Sequence, residues 1–378
     1  MTITPEMTTR PSTIIERALT AIQHLTPYQP GKPITEVARE LGLSDIIKLA
    51  SNENQLGVSP RVVETMTSAL TEAWLYPDGN GFALKEKLAA KHGVAMAQIT
   101  LGNGSSDVLE FAVRVFADRG DQVLYSQHAF AMYPIVAQAA GAVGVEAPAR
   151  DWGYDLAALH DRITDRTRVI FIANPNNPTG TWVDGDTLEA FIRDVPQDVL
   201  VVVDEAYFDY ARDVLDERNY PDTIPWVARY PNLMVTRTFS KSYGLAGLRI
   251  GYAISDPEVA DLLNRIRPPF NVNAIALAAA EIALEDEDHL QRSVAMNTAG
   301  LKQLADGFDA LGLAYIPSVG NFISVDVGEN SPEVYQHLLR AGVIVRPVAN
   351  YGMPRHLRVS VGLPEQNAKV LAALKTVL

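Results

Sequence analysis

The sequence predicts an α/β protein. A large unit carries a mostly parallel mixed sheet between helices, and a smaller α+β unit is formed by the C-terminal segment and an N-terminal arm. Three observations carry this expectation. From Ile99 to about Ser255, short β-branched apolar runs alternate with longer stretches of helical spacing, the pattern of strands covered by helices on both faces. At Arg267-Pro268-Pro269-Phe270 that alternation breaks off. Finally, 378 residues with 47% hydrophobic side chains can fill about two domain cores.

Taken in order, Met1 to Ser12 is rich in Thr and Pro and reads as a disordered lead. Thr13 to Leu25 has Ile14, Ile15, Ala18 and Ile22 at helical spacing and ends near Pro27, which predicts a short helix. Glu36 to Leu41 is helical, and Ile46 to Ala50 is a short apolar run before Asn52-Glu53-Asn54. Strands are expected at Gln122 to Tyr125, Val143 to Val145, Val169 to Ala173, Val199 to Val203, Leu233 to Thr236 and Ile250 to Ile254. Beyond Pro269 an Ala-rich stretch predicts one long helix from about Ala274 to Leu311, with the acidic run Glu285 to Asp288 as a solvated helix end. Short strands follow near Ala314, Phe322, Val343 to Val345 and Leu357 to Val361, with a helix between Pro332 and Arg340. The expected division is residues 1–12 as lead, 13–59 as arm, 60–268 as the large domain and 269–378 as the small one.

Composition narrows the function. Lys and Arg total 32 against 45 Asp and Glu, a net charge of −13, which disfavours nucleic acid and membrane partners that need a basic surface. There is no Cys, so disulfides, thiol nucleophiles and thiolate metal sites are out. No apolar run approaches the roughly 20 residues of a membrane span, and the start lacks a basic region followed by an apolar stretch. A cytoplasmic protein is expected.

The informative residues follow predicted strands, at the sheet edge where open α/β folds bind ligands. Leu101-Gly102-Asn103-Gly104-Ser105-Ser106-Asp107 is a strand turning through glycines into a helix, a phosphate cradle or simply an N-cap. Asn174-Pro175-Asn176-Asn177-Pro178-Thr179-Gly180 is a turn able to aim an Asn amide inward. Val201-Val202-Val203-Asp204 carries a carboxylate to the sheet mouth as metal ligand, helix cap or partner of a cationic ring nitrogen. Glu205 points to the opposite face, against a two-carboxylate metal site. Lys241 follows a fourth strand in Thr238-Phe239-Ser240-Lys241-Ser242-Tyr243-Gly244, with Arg249 eight residues on; alone it could be a solvated side chain.

Jointly, a phosphate cradle, an Asn, an Asp and a Lys are the parts needed to hold pyridoxal 5′-phosphate (PLP). In order and spacing these motifs resemble those of the fold-type-I, aspartate-aminotransferase-like PLP enzymes. Within that family Leu25-Thr26-Pro27-Tyr28-Gln29-Pro30-Gly31-Lys32-Pro33, Ala50-Ser51-Asn52-Glu53-Asn54 and Tyr76-Pro77-Asp78-Gly79 resemble the histidinol-phosphate aminotransferase branch. The resemblance implies that Lys241 bonds to the cofactor aldehyde and then acts as the proton-transfer base, which needs an amine far below its free pKa of about 10. It implies that Asp204 pairs with the pyridine nitrogen, that Asn177 and Tyr207 bond the phenolic oxygen, and that Tyr133 stacks on the ring. Ser105, Ser106, Thr238, Ser240 and Arg249 would hold the phosphate, joined by Tyr76 from a neighbouring subunit, so a homodimer with shared sites is expected. Arg346, Arg358, Tyr28 and Asn321 would face the substrate.

The activity implied is amino transfer between L-histidinol phosphate and 2-oxoglutarate, which yields imidazole acetol phosphate and glutamate in histidine biosynthesis. Alternatives are an aromatic-amino-acid aminotransferase or a threonine-phosphate decarboxylase on the same scaffold, and remotely a non-catalytic effector-binding module. Two departures are visible. Ser106 stands where many relatives carry an acidic residue, and Gln55 replaces a frequent Pro after Asn54.

Overall fold

The computed structural model describes residues 13–377; the expected lead, Met1 to Ser12, lies outside them. Seven strands form the main sheet in the order Ile99–Gly102, Gly251–Ile254, Leu233–Thr238, Leu200–Asp204, Thr167–Ala173, Gln122–Ser126 and Val143–Ala147. Gly251–Ile254 runs antiparallel to both neighbours, and the remaining pairings are parallel. The architecture is thus the α/β fold with a mostly parallel mixed sheet. Leu200–Asp204 is buried throughout, which is why its sequence is a run of Val rather than an alternation.

A second, antiparallel sheet joins Tyr315–Ile316, Phe322–Asp326, His356–Ser360 and Arg346–Pro347. Beside it the arm strand Ile47–Lys48 pairs in parallel with Val343–Ile344 as a separate two-stranded sheet. Leu49 packs in one core with Leu304, Phe308, Val325, Leu338 and Leu357. Ala276, Leu277, Ala279, Ala280 and Ala283 instead join the core beneath the main sheet. No helix among the described residues is long and apolar enough to cross a membrane.

Two expected helices differ. Thr13 to Leu25 forms only a 3₁₀ turn, Ile15–Arg17, and a helical turn, Thr20–Gln23, separated by extended Ala18 and Leu19. Ile14, Ile15 and Leu19 are exposed, and a helix this short is not stable without a face to bury. The Ala-rich stretch divides into Ala274–Ala283 and Glu287–Ala310. Asp286 makes the joint by accepting from the His289 N–H at 3.2 Å, while Glu285 pairs with Lys87 at 2.5 Å and Arg61 at 3.6 Å. The acidic run is a cap and a tether between helices, and local carboxylates there outweigh the alanines' helix propensity.

Candidate active site

Because the strands around them are parallel, the ends carrying Gly102, Ala173, Asp204 and Thr238 emerge at one sheet edge. They surround a cavity of about 330 Å³. Ser105 and Ser106 line one side, on the opening turn of Ser105–Phe116. No side chain caps that turn, since its N-cap is Gly104, so its first N–H groups are left for an anion. Thr238, Ser240 and Arg249 line the same region. The Thr238 hydroxyl donates to Ser240 Oγ at 3.0 Å, and Arg249 Nη1 approaches that oxygen at 3.4 Å. Arg249 adopts a left-handed backbone, φ 57°, a conformation more often found where function holds it.

Asp204 sits below, buried, with Oδ1 accepting from Thr236 Oγ1 at 2.9 Å and Oδ2 from Tyr133 Oη at 3.0 Å. Burial raises its pKa, opposed by those two donors, the Ala206 N–H and Lys241. Lys241 Nζ donates to the carbonyls of Ser51 at 3.3 Å and Asn52 at 3.4 Å. Burial first, then the charges of Arg358 and Arg249, bring its amine down to about 8. The site therefore holds a lysine poised near neutrality, the state a nucleophile or proton-transfer base requires.

Asn177, Tyr207, Arg358 and Tyr28 complete the wall. Arg358 is buried and hydrogen-bonded rather than solvated, as is Arg346, although an arginine at a strand end is usually exposed. Arg346 does not line the cavity; it bonds the Gln29 carbonyl and stacks over the Tyr28 ring at 5.7 Å. Asn321 also stands behind the wall, its amide donating to the Asn52 carbonyl at 3.0 Å.

Tyr133, like Arg346 and Asn321, is not on the cavity wall where it was expected. Tyr133 is wholly enclosed, stacked on Phe171 with ring centroids 4.5 Å apart, and cannot present a face to the cavity. Of the two rings in this segment, the one on the wall is Phe130. Both follow the strand Gln122–Ser126, but Tyr133 lies on the first turn of Met132–Ala139, which packs down on the sheet, while Phe130 precedes that helix. Tyr76 is remote from the cavity wall of its own chain, 82% exposed and stacked on Phe270 at 4.7 Å.

The arrangement offers an amine, an anion cradle and a carboxylate around one enclosed space. That set suits a phosphorylated ligand with a carbonyl for the amine and a basic ring nitrogen for the carboxylate. Residues 44–374 match the family described as aminotransferase class I and II. The chain belongs to that family.

This aminotransferase is 56% identical over 367 residues to histidinol-phosphate aminotransferase 1 of Nitrosococcus oceani, covering 97% of this chain and 98% of that one. It is 56% identical over 369 residues to histidinol-phosphate aminotransferase 2 of Pseudomonas aeruginosa, covering 97% and 99%. The crystal structure of histidinol-phosphate aminotransferase from Sinorhizobium meliloti in complex with pyridoxal-5′-phosphate superimposes with a TM-score of 0.87 at 30% identity, covering 96% and 97% of the chains. Aspartate aminotransferase from Thermus thermophilus with maleate shares the fold, with a TM-score of 0.81 at 24% identity over 95% and 98%.

Sequence reasoning missed Asn52. It lines the cavity with a left-handed backbone, φ 57°. Its amide donates to Tyr207 Oη at 2.8 Å, and its Oδ1 accepts from Ser360 at 2.9 Å. The available signal was a polar triplet straight after an apolar run, the same sign that marked Asp204.

Proposed function

We propose that this aminotransferase exchanges the amino group between L-histidinol phosphate and 2-oxoglutarate, with PLP as coenzyme, in histidine biosynthesis. The observation that carries the reading is the 56% identity, over 97% of the chain, to a histidinol-phosphate aminotransferase, joined to a cavity with the matching donors. The coenzyme fits the residues present. A Cβ on Gly104 would run into the Arg249 guanidinium and one on Gly251 into the Ser105 N–H, so both glycines allow these two anion-binding donors to hold their places.

In this reading the N–H groups of Ser105 and Ser106, the hydroxyls of Thr238 and Ser240, and Arg249 hold the phosphate. Asp204 meets the ring nitrogen, Asn177 and Tyr207 the phenolic oxygen, and Phe130 supplies the aromatic wall once expected of Tyr133. When bound, PLP supplies an aldehyde that takes up the amino group and a ring that accepts the electrons released at the substrate α-carbon. Lys241 would be the covalent anchor, and its freed amine would carry a proton from the substrate α-carbon to the coenzyme carbon that bore the aldehyde. Arg358 and Tyr28 orient the substrate and its phosphate, while Arg346, stacked over Tyr28, and Asn321, bonded to the Asn52 carbonyl, hold that wall in place from behind. Closure of the unit built by the arm and the C-terminal segment excludes water.

A cytoplasmic homodimer completes the proposal. Tyr76, Trp74 and Leu70 are exposed, an apolar surface suited to a second copy, whose site Tyr76 would enter. Assays with histidinol phosphate, phenylalanine and phosphothreonine, each with 2-oxoglutarate, test the substrate. Preference for histidinol phosphate is expected; preference for phenylalanine, or decarboxylation of phosphothreonine, overturns it.

A further inference from the structure

We propose that Tyr133 is a positioning residue for Asp204, its hydroxyl fixing the carboxylate and sustaining its negative charge for the coenzyme's ring nitrogen. The inference rests on Asp204 meeting that nitrogen. Tyr133 is wholly buried, and its ring is held parallel to Phe171, 5° between planes, and edge-on to Phe130 at 5.9 Å. So clamped, it presents its hydroxyl to Asp204 Oδ2 at 3.0 Å. Burial and the neighbouring Asp204 keep the phenol's pKa well above its ordinary value, so it acts as donor and the carboxylate as acceptor.

Each carboxylate oxygen has two acceptor sites. Tyr133 occupies one on Oδ2 and Thr236 one on Oδ1, and the Ala206 N–H also donates to the carboxylate, which leaves the remaining capacity for the cavity that Asp204 lines. A buried carboxylate otherwise tends to take up a proton, and donors to its ionised form oppose that. The titratable groups facing Asp204 are Tyr133, Tyr154, Tyr207 and Lys241. Tyr154 accepts from the Ala173 N–H and Tyr207 from Asn52, so Tyr133 is the tyrosine whose hydrogen bond reaches the carboxylate.

The test titrates full-length, coenzyme-free protein with PLP by equilibrium dialysis across pH. Tyr133→Phe keeps the ring and its stacking but removes the donor. Its affinity should fall about tenfold, and the pH at which affinity declines on acidification should move upward. Phe171→Leu loosens the stacking that aims the hydroxyl, so its pH midpoint should move in the same direction as that of Tyr133→Phe, by less. Asp204→Asn should weaken binding most and remove the part of the pH dependence that Tyr133→Phe shifts. If Asp204→Asn binds like wild type, the role of Asp204 itself is wrong. If Asp204→Asn is weakened but Tyr133→Phe keeps the wild-type pH midpoint, the role of Tyr133 is wrong.

Discussion

Arg358 Nη1 donates to the side-chain oxygen of Asn177 at 2.5 Å, a bond that joins the last strand of the small sheet to the Asn-Pro turn of the large one. Nη2 takes the Ala50 carbonyl at 2.7 Å, and the buried Nε has no partner among the described residues. A buried guanidinium with a donor unused and no carboxylate beside it is prepared for an anion. Arg358→Ala should lower kcat/KM for the phosphorylated amine about 100-fold, or about 3 kcal/mol, mainly through KM. Arg358→Lys should recover little, because an ammonium cannot span Asn177 and Ala50 together. Steady-state kinetics with both variants checks this.

The amine of Lys241 should titrate near 8 in the coenzyme-free protein. Acylation of Lys241, followed by mass spectrometry, is expected to rise with pH through that midpoint. Arg358 is the largest charge holding the value down, so Arg358→Ala should move the midpoint upward. The same shift affects stability. The folded value lies below the ordinary value of 10.5, so between about 8 and 10.5 the unfolded chain binds more protons and stability rises with pH. The destabilisation is fully present below about 8, and Lys241→Met should relieve it there while abolishing turnover.

Gly104 has φ +86°, and any side chain on it meets the Arg249 guanidinium. Gly104→Ala should therefore displace that guanidinium as well as strain the turn, whose φ 86° and ψ 164° suit glycine alone, by about 1–3 kcal/mol. PLP affinity is expected to fall at least tenfold with only a small drop in melting temperature. Gly120→Ala serves as the control: its φ is +88° but nothing lies within 4 Å of the added carbon, so affinity should not change.

Behind the site, Glu205 accepts from Arg237 at 2.9 and 2.7 Å and from Thr223 at 2.6 Å. Burial pushes the Glu205 carboxyl up, and the charge of Arg237 opposes it. Glu205→Gln leaves Arg237 buried with only Asp222 for a counter-charge and should cost about 3 kcal/mol of stability in urea unfolding. Neither Glu205 nor Arg237 lines the cavity, so turnover per folded molecule should change little.

Much of the site was legible because its signals are local. Strand ends, turn residues and the helix opening at Ser105 are written within a few neighbouring positions, and parallel pairing then brings four such ends to one edge. The misread residues have long-range causes. Tyr133 and Phe130 are three positions apart, and packing on Phe171 decides which ring faces the cavity. Asn52 bonds partners 155 and 308 positions away. The break at Asp286 did have a local sign, an acidic run, but the alanines around it carried the stronger helix signal.

By its own periodicity and turn chemistry, the chain determined that an α/β sheet would form and that Asp204 and Lys241 would follow its strands at one edge, while the family resemblance placed Arg249 beside them. Only the tertiary structure decided which aromatic faces the cavity, that Arg358 and Arg346 are buried, and that the arm supplies Asn52. Those outcomes depend on which distant surfaces exclude water from each other, and no short stretch of sequence encodes that.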